Sequence, residues 1–406
     1  MRAVRPRLPR SNPRKHLSVH TSLRSLLLTA CLLLAPVLGD AATVTFAGLS
    51  YSGDSKSIPA RFPYSLLLEK TLATQGKPLN QQLAAKLAQD KPQHFELNRN
   101  GLTTLKGQDQ AVVATLLITG ETVSKERFDG VAKLMTQVRA QAMFFDFKNM
   151  TVLRAYPFSF TYLDLVDHDP SPQEMQQRFA SLYYGDQGKP GIIQRFADIM
   201  RDASIPEHVP RFLQVAKVNI GDEARKALPA ELTRIPGTAE AWAADLFAEN
   251  LSSKTGVPLL PYSKGYAIGN VMSMRISDGE VFMLKLPEAD YSIALDIPKF
   301  RRIKSGEASA GSSYIYGAYA HVNIQEPVSG KSYLDADFKN GEVKLVPASQ
   351  DNIDDYPAYH DAIKGLFAKL ADNLAGNRSD WLKSATNAPD IDKQITTTQQ
   401  LLKACQ

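Results

Sequence analysis

The sequence predicts an α+β fold of two similar units, each a mixed or antiparallel sheet with helices packed on one face. Three observations lead to this prediction. Strand-like runs alternate with segments of helical periodicity, turn residues separate them, and the same order of elements occurs twice along the 406 residues. We therefore divide the chain into a leader at 1–41, a first unit at 42–205, a second unit at 206–374 and a polar tail at 375–406.

The first unit begins with an alternating run at 44–49, which predicts a strand, and leucines at helical spacing then predict one or two helices. An amphipathic segment at 192–200 closes the unit as a helix. The elements predicted between them are a strand at 112–120, a short helix around 131–138, and long strands at 142–147 and 151–165.

The second unit follows a similar order. A strand is predicted at 212–220, a helix at 239–254 and a closing helix at 359–374. The pair Asp278-Gly279 predicts a hairpin turn between two strands. The strands predicted between the two helices are 271–276, 281–286, 291–295, 314–324 and 332–338.

The repeat is one of element order and not of residue identity, so internal duplication and two unrelated adjacent domains both remain open. The segment from Met200 to Phe212, which contains Pro206 and Pro210, is the predicted joint. The order resembles that of small α/β domains in cell-envelope assembly factors, such as the curli-export protein and the amino-terminal domain of the Tol-system propeller protein. No motif accompanies this resemblance, so it implies a fold and not a function.

The amino-terminal segment has the pattern of an export signal. Its first 24 residues hold seven cations and no acid, and an uncharged run of 15 residues extends from Ser25 to Gly39. That run is shorter than the ~20 apolar residues of a membrane span. We expect cleavage after Ala41 and a protein that is periplasmic or otherwise exported from a bacterial cell; an uncleaved anchor is the alternative.

Leu28-Thr29-Ala30-Cys31 resembles a lipoprotein box, in which the cysteine would be acylated and would tether the protein to a membrane. The apolar run continues beyond Cys31, whereas such a cysteine normally closes it. We therefore favour peptidase cleavage over lipidation. Membrane association is expected only if Cys31 is lipidated.

Removing the leader changes the charge of the chain. The full sequence has 47 Lys and Arg residues against 42 Asp and Glu residues, but the leader contains seven of the cations and only one acid, Asp40. The mature chain therefore has one more acidic than basic residue. Because no excess of positive charge remains to hold a phosphate backbone, we expect no nucleic-acid partner.

The carboxyl-terminal segment is polar and is predicted to be mobile, apart from a docked turn at Trp381 and Leu382. Without the leader, Cys405 is the only cysteine, so no intrachain disulfide can form. We interpret Cys405 as an incidental tail thiol; an intermolecular bridge is the alternative.

The densest group of potential metal ligands lies at the end of a strand-like run, just before two prolines. Its members are Asp164, Asp167, His168 and Asp169. The group lacks the spaced oxygen ligands and the glycine of an EF-hand loop, so a solvated strand end is favoured over a cation site. A second group contains Asp354, Asp355, His360 and Asp361. Because Asp354 and Asp355 lie just before a helix, we interpret them as capping. We predict no metal and no cofactor.

Signatures of a nucleophilic enzyme are also incomplete. The segment from Glu307 to Gly311 is similar to a nucleophile elbow around Ser309, but Glu307 occupies the position of the first glycine and a strand follows. The sequence contains no phosphate-binding loop and no Cys-x-x-Cys motif.

Aromatic residues at every second position of the last long run of the first unit predict a ring-bearing sheet face. A second pair lies on a strand of the second unit. The candidate binding residues are Tyr156, Phe158, Phe160, Tyr162, Tyr314 and Tyr316. Core packing is the ordinary interpretation, and an exposed groove for a partner strand or glycan is the functional one.

These observations favour an exported, non-enzymatic binding or assembly factor that contacts an envelope protein or polymer. Two alternatives remain. An exported hydrolase would join His168, His321 or His360 to carboxylates in a deep pocket, and a small-ligand sensor would enclose a cavity between sheet and helices.

Overall fold

The computed structural model describes residues 42–105, 111–128, 131–205, 211–262, 267–268, 271–276, 279–349 and 354–406. The predicted signal segment, the lipidation candidate, the two prolines of the predicted joint and one turn residue lie outside the described residues. These are 1–41 with Cys31, the pair Pro206 and Pro210, and Asp278.

Strands and helices both contribute extensively to the described chain. The strands are β1 Thr43–Ser52, β2 Glu96–Asn98, β3 Val112–Phe128, β4 Val131–Asp146, β5 Thr151–Val166, β6 Leu213–Ile220, β7 Ala267–Ile268, β8 Val271–Ile276, β9 Val281–Lys285, β10 Tyr291–Ile297, β11 Phe300–Ala308, β12 Gly311–Gln325 and β13 Ser332–Pro347. The helices are α1 Ile58–Arg61, α2 Pro63–Thr74, α3 Leu79–Gln89, α4 Pro172–Tyr184, α5 Ile192–Asp202, α6 Asp222–Lys226, α7 Ala230–Thr233, α8 Thr238–Thr255, α9 Tyr356–Leu374, α10 Trp381–Ala385 and α11 Ile391–Lys403.

Two mixed sheets organise these elements, which confirms the predicted α+β class. In the first sheet β1 pairs in parallel with β2 and β3, and β3, β4 and β5 form an antiparallel meander. In the second sheet β6 pairs in parallel with β10, while β12 pairs antiparallel with β10, β11 and β13.

The two sheets share an order of strands. The series β1-β3-β4-β5 and the series β6-β10-β12-β13 each begin with a parallel pair and continue antiparallel, with helices between their first two strands. Internal duplication remains a prediction, which this correspondence supports.

One insertion crosses the predicted boundary between the units. The segment carrying β7, β8 and β9 lies in the second half of the sequence but joins the first sheet, where β8 pairs with β1 and β9 with β5. The first sheet thereby closes into a ring of six strands. Apolar side chains such as Val113, Phe145, Met274 and Leu284 fill a common cluster there.

The predicted helix around 131–138 is wrong, because the structure has a single strand, β4, from Val131 to Asp146. Backbone pairing with β3 on one side and β5 on the other extends along almost its whole length. These tertiary pairings override the weak local preference of the segment.

Helices α2 to α5 cover the first sheet, and α8 and α9 pack together on the second. Leu79, Leu83 and Leu87 of α3 are buried at helical spacing. Ser171 and Glu174 form a reciprocal capping box that fixes the start of α4. Among the described residues, no helix is both long enough and apolar enough to cross a bilayer.

The segment after Leu374 differs from the mobile tail that the sequence predicts. It forms α10 and α11, and Ile391, Ile395 and Leu402 are buried against the second sheet. Its polar Thr and Gln tract lowers the mean hydropathy, but one apolar residue per helical turn is enough to dock a short helix.

Cys405 is buried beside this helix, and burial raises the pKa of its thiol to about 12. Because the thiolate is the reactive form, we expect no labelling by a disulfide reagent at pH 8 while the chain is folded. Complete labelling should follow in denaturant. Rapid labelling of the native chain, measured by absorbance, would contradict this burial.

Candidate functional site

A cavity of about 480 Å³ lies where the first sheet meets α7 and α8. This volume is in the range of small-molecule sites, roughly 300–1,000 Å³. We name it the Arg139 cavity. The side chains that define its chemistry are Arg61, Glu121, Lys125, Arg139, Arg234 and Thr238.

Arg139 of β4 is the most buried cation of this cavity, with 3% of its surface exposed. Its Nη1 donates to Thr122 Oγ1 at 3.2 Å. Gly120 on the paired strand leaves room for the guanidinium, since a Cβ there would lie 2.0 Å from Nη2. Within the described chain, Arg139 Nε makes no hydrogen bond.

The buried carboxylate of Asp245 lies next to the guanidinium of Arg139. Asp245 Oδ2 of α8 lies 3.7 Å from Arg139 Nε, and Asp245 Oδ1 accepts from Gln141 Nε2 at 3.2 Å. Burial raises the pKa of Asp245, and the charge of Arg139 opposes that shift. Arg139 and Asp245 thus form a buried ion pair that joins the first sheet to the helix of the second.

Glu121 of β3 caps helix α2. Its carboxylate oxygens accept from the backbone N–H of Ser65 at 2.7 Å and of Tyr64 at 3.1 Å. Burial nevertheless raises the pKa of Glu121 to about 7, and these hydrogen bonds only reduce the shift. Burial, and then the Glu121 charge among other groups, raises the pKa of Tyr64 and Tyr183.

Helix α8 begins at the cavity wall. Gly237, with φ of 83°, precedes it in the left-handed region that favours glycine. Among the described residues, no side chain caps the first turn of α8. Thr238 is more than nine-tenths buried, and its Oγ1 has no hydrogen-bond partner there.

The other charged side chains that line the cavity differ in their hydrogen-bond and ion-pair partners. Arg61 donates to the carbonyl oxygens of Ser52 at 2.5 Å and Thr119 at 3.0 Å. Lys125 pairs with Asp169. Arg234 is exposed at the rim, and its guanidinium has no ion-pair partner in the described part of the chain.

The described lining contains neither histidine nor cysteine, and its serine, Ser124, donates to Asp354. The lining thus combines hydrogen-bond donors with buried charge, and its one serine is paired with a carboxylate and not with a histidine. The arrangement is suited to binding a ligand by hydrogen bonds and charge. Among its described residues, the cavity lining has no group of three His, Cys, Asp or Glu side chains that could hold a metal ion.

The aromatic candidates on β5 share one face, as the alternation predicts. Phe158 is buried, while Tyr156, Phe160 and Tyr162 are half-buried against the apolar cluster under α4 and α5. Tyr156 meets Phe144 edge to face, with ring centroids 6.3 Å apart. This face forms a wall of the core, and a binding role for it stays a prediction.

The second aromatic pair lies away from the cavity on β12. The hydroxyl of buried Tyr316 donates to Asp355 at 2.7 Å. Half-buried Tyr314 carries the guanidinium of Arg302 over its ring, 4.7 Å from the centroid. Both are partnered within the fold, and their role as binding residues also stays a prediction.

The four candidate metal ligands near the end of β5 do not converge on one point. The hydrogen-bonded pairs are Asp164–Arg178, Asp169–Arg127, His168–Asp167 and His168–Glu174. Across the described residues, no three His, Cys, Asp or Glu side chains are grouped to hold a metal ion.

Of the histidines named for a hydrolase, His321 lines a separate pocket of about 560 Å³ together with carboxylates. Its ring is exposed, and Asp335 and Asp337 flank it at 3.1 and 3.0 Å. The hydrolase therefore remains an alternative prediction. His360 is buried beside Gln137, with 3.3 Å between His360 Nε2 and Gln137 Nε2. Neither lines the Arg139 cavity.

Arg139 and Asp245 are not among the site residues that the sequence predicts. A detectable signal was present, because Gln137, Arg139 and Gln141 occupy alternate positions of one long apolar run. In a strand this spacing places three polar side chains on one face. The wrong helical interpretation of 131–138 concealed that face.

Comparisons with known proteins give no family. No protein-family model matches the chain, and a search of curated proteins found no match. Among solved structures, a Xanthomonas campestris protein of the DUF330 family is 16% identical, covering 23% of this chain and 49% of its own, with a TM-score of 0.15. The matched region thus spans about half of that protein.

Two other solved structures match over nearly their whole length. A putative neuraminyllactose-binding hemagglutinin homologue from Helicobacter pylori is 11% identical, covering 49% of this chain and 98% of its own, with a TM-score of 0.25. A minor lipoprotein from Acinetobacter baumannii is 8% identical, covering 44% of this chain and 99% of its own, with a TM-score of 0.20. Similarities this low assign no function.

Proposed function

We propose that this chain is an exported, non-enzymatic binding protein of the cell envelope, and that its ligand occupies the Arg139 cavity. The ligand is a small molecule, or a group carried by an envelope protein or polymer. The leader supports the location, because a cationic segment followed by a short apolar run is typical of exported precursors.

One observation carries the binding role. The Arg139 cavity combines buried polar side chains, Arg139 and Thr238, with apolar ones such as Val123 and Ile235. Its volume of about 480 Å³ is in the range of small-molecule sites. Apolar surface with a few polar groups is the usual composition of a ligand pocket, which supports a binding role.

Native mass spectrometry tests this role directly. The mature chain is incubated with an extract of the envelope, desalted and examined for retained small molecules. Val123→Trp, which adds bulk to the lining, should abolish retention. Val343→Trp is the matched control, because Val343 is 69% exposed on β13 and does not line the cavity.

We expect a retained mass on the wild type and on Val343→Trp but not on Val123→Trp. Two results would overturn the proposal: no retained mass on the wild type, or undiminished retention by a Val123→Trp chain that is still folded by circular dichroism.

A further inference from the structure

Strand β13 forms a free edge of the second sheet. Among the described strands it pairs with β12 alone, in an antiparallel register that extends along its length. Helix α11 hydrogen-bonds to the backbone of β13 at Tyr333 and Asp335, near the start of the strand. On the side away from β12, no described strand pairs with residues 340–346. Unpaired backbone donors and acceptors along such an edge are a template for a further strand.

Exposed aliphatic side chains lie beside this edge, on the face of the sheet opposite α9. Ile303, Ile315 and Val343 are direct cross-strand partners on β11, β12 and β13. Leu345 follows Val343 by two residues and therefore shares its face. Val343 and Leu345 are 69% and 65% exposed. Single exposed apolar residues are common, but a row of them that ends at an unpaired strand edge is typical of an interaction surface.

The sequence of β13 is self-complementary in an antiparallel pairing. When two copies of the strand pair about a two-fold axis at Val343, that residue lies opposite its own copy. Glu342 then lies opposite Lys344 of the second copy, and the symmetry produces this pair twice. Leu345 lies opposite Gly341, which leaves room for its side chain. Cross-strand pairs of β-branched residues and of opposite charges stabilise antiparallel strands.

The charged side chains of β13 have partners on α9 that are compatible with this pairing. Lys344 Nζ lies 2.7 Å from Asp361 Oδ2, and Glu342 Oε1 lies 3.9 Å from Lys369 Nζ. The Glu342 and Lys344 side chains are 37% and 39% exposed, so each is accessible to a second partner. A lysine on an edge strand normally opposes pairing, but here an acidic residue lies across from it. The charges thus favour a second copy over an arbitrary strand.

We propose that the chain forms a weak symmetric dimer, in which the β13 strands of two copies pair antiparallel about Val343. The pairing extends from Asn340 to Val346, and Pro347, which has no N–H, lies just outside it. This dimer does not depend on ligand binding, because β13 contributes no residue to the described lining of the Arg139 cavity. A short strand pairing buries less than the roughly 1,600 Å² of a standard interface, so we expect a Kd of roughly 1–100 μM.

Sedimentation velocity of the mature chain over a concentration series measures the dimer. Glu342→Lys places lysines opposite each other and Lys344→Glu places acids opposite each other, so each variant should raise the Kd about tenfold. An equimolar mixture of the two variants should restore association, because each strand then faces only opposite charges. Lys304→Glu is the matched control. It reverses a charge on β11, which pairs with β12 on the side opposite β13, and should leave the Kd unchanged.

Hydrogen–deuterium exchange tests where the two copies meet. Amides within 340–346 should exchange more slowly as the concentration of the wild type rises, but not in either charge variant alone. A wild type that is monomeric at every concentration would overturn the inference, and so would a mixture of folded charge variants that stays monomeric. Protection of the same amides by an envelope extract, in a chain that remains monomeric, would assign the edge to a strand of another protein and would also overturn the dimer.

Discussion

Replacing Arg139 by methionine is expected to destabilise the folded chain by about 3–5 kcal/mol, because the substitution leaves a buried carboxylate without its cation. Asp245 lies 3.7 Å from Arg139 Nε and is itself 8% exposed. Removing the cation also raises the pKa of Asp245 further, so part of the loss should be recovered in acid. Urea denaturation at pH 5 and pH 8 measures both effects.

Two companion variants make this prediction specific. Arg139→Met combined with Asp245→Asn should restore much of the stability, since no unpaired charge then remains. Arg178→Met breaks the more exposed pair with Asp164 and should cost no more than about 1 kcal/mol. An Arg139→Met loss that is equally small, or that Asp245→Asn does not relieve, would show that the pair does not hold the two sheets together.

The local pattern of the sequence was sufficient for the class of fold but not for the site. Alternation identified β5 and helical spacing identified α5, because each is amphipathic along its own length. The closure of the first sheet depends on a pairing between residues more than 200 positions apart, such as Tyr51 with Arg275. No local pattern specifies such a partner.

The candidate site, like the closed sheet, depends on contacts between residues that are far apart in the sequence. Arg139 comes from β4, Glu121 from β3 and Thr238 from α8, and each is an ordinary polar residue in its own segment. Arg139 is covered when α8 packs on the first sheet, and Glu121 when α2 packs on it. Charged residues on a strand are usually exposed to solvent. The sequence alone therefore does not indicate that Arg139 is buried.

Glu121→Gln is expected to remove a pH dependence of stability worth up to about 3 kcal/mol, the free energy of a shift from 4.5 to about 7. The pKa of Glu121 is higher in the folded chain than in the unfolded chain, because burial disfavours the carboxylate. The folded state therefore binds more protons between these values. The contribution of Glu121 to stability is therefore greatest below pH 4.5 and is lost as the pH rises through about 7.

Other carboxyls titrate over the same range, so the measurement is the difference between two proteins. Urea denaturation of the wild type and of Glu121→Gln from pH 4.5 to 8 should give curves that diverge, with the variant losing less stability above pH 6. The Gln side chain keeps an acceptor for one of the two α2 amides but carries no charge that burial penalises. Glu96→Gln, on the exposed strand β2, should retain the slope of the wild type. Parallel curves for the wild type and Glu121→Gln would mean that the carboxylate is hydrated in the cavity wall, and that its ionisation does not oppose folding.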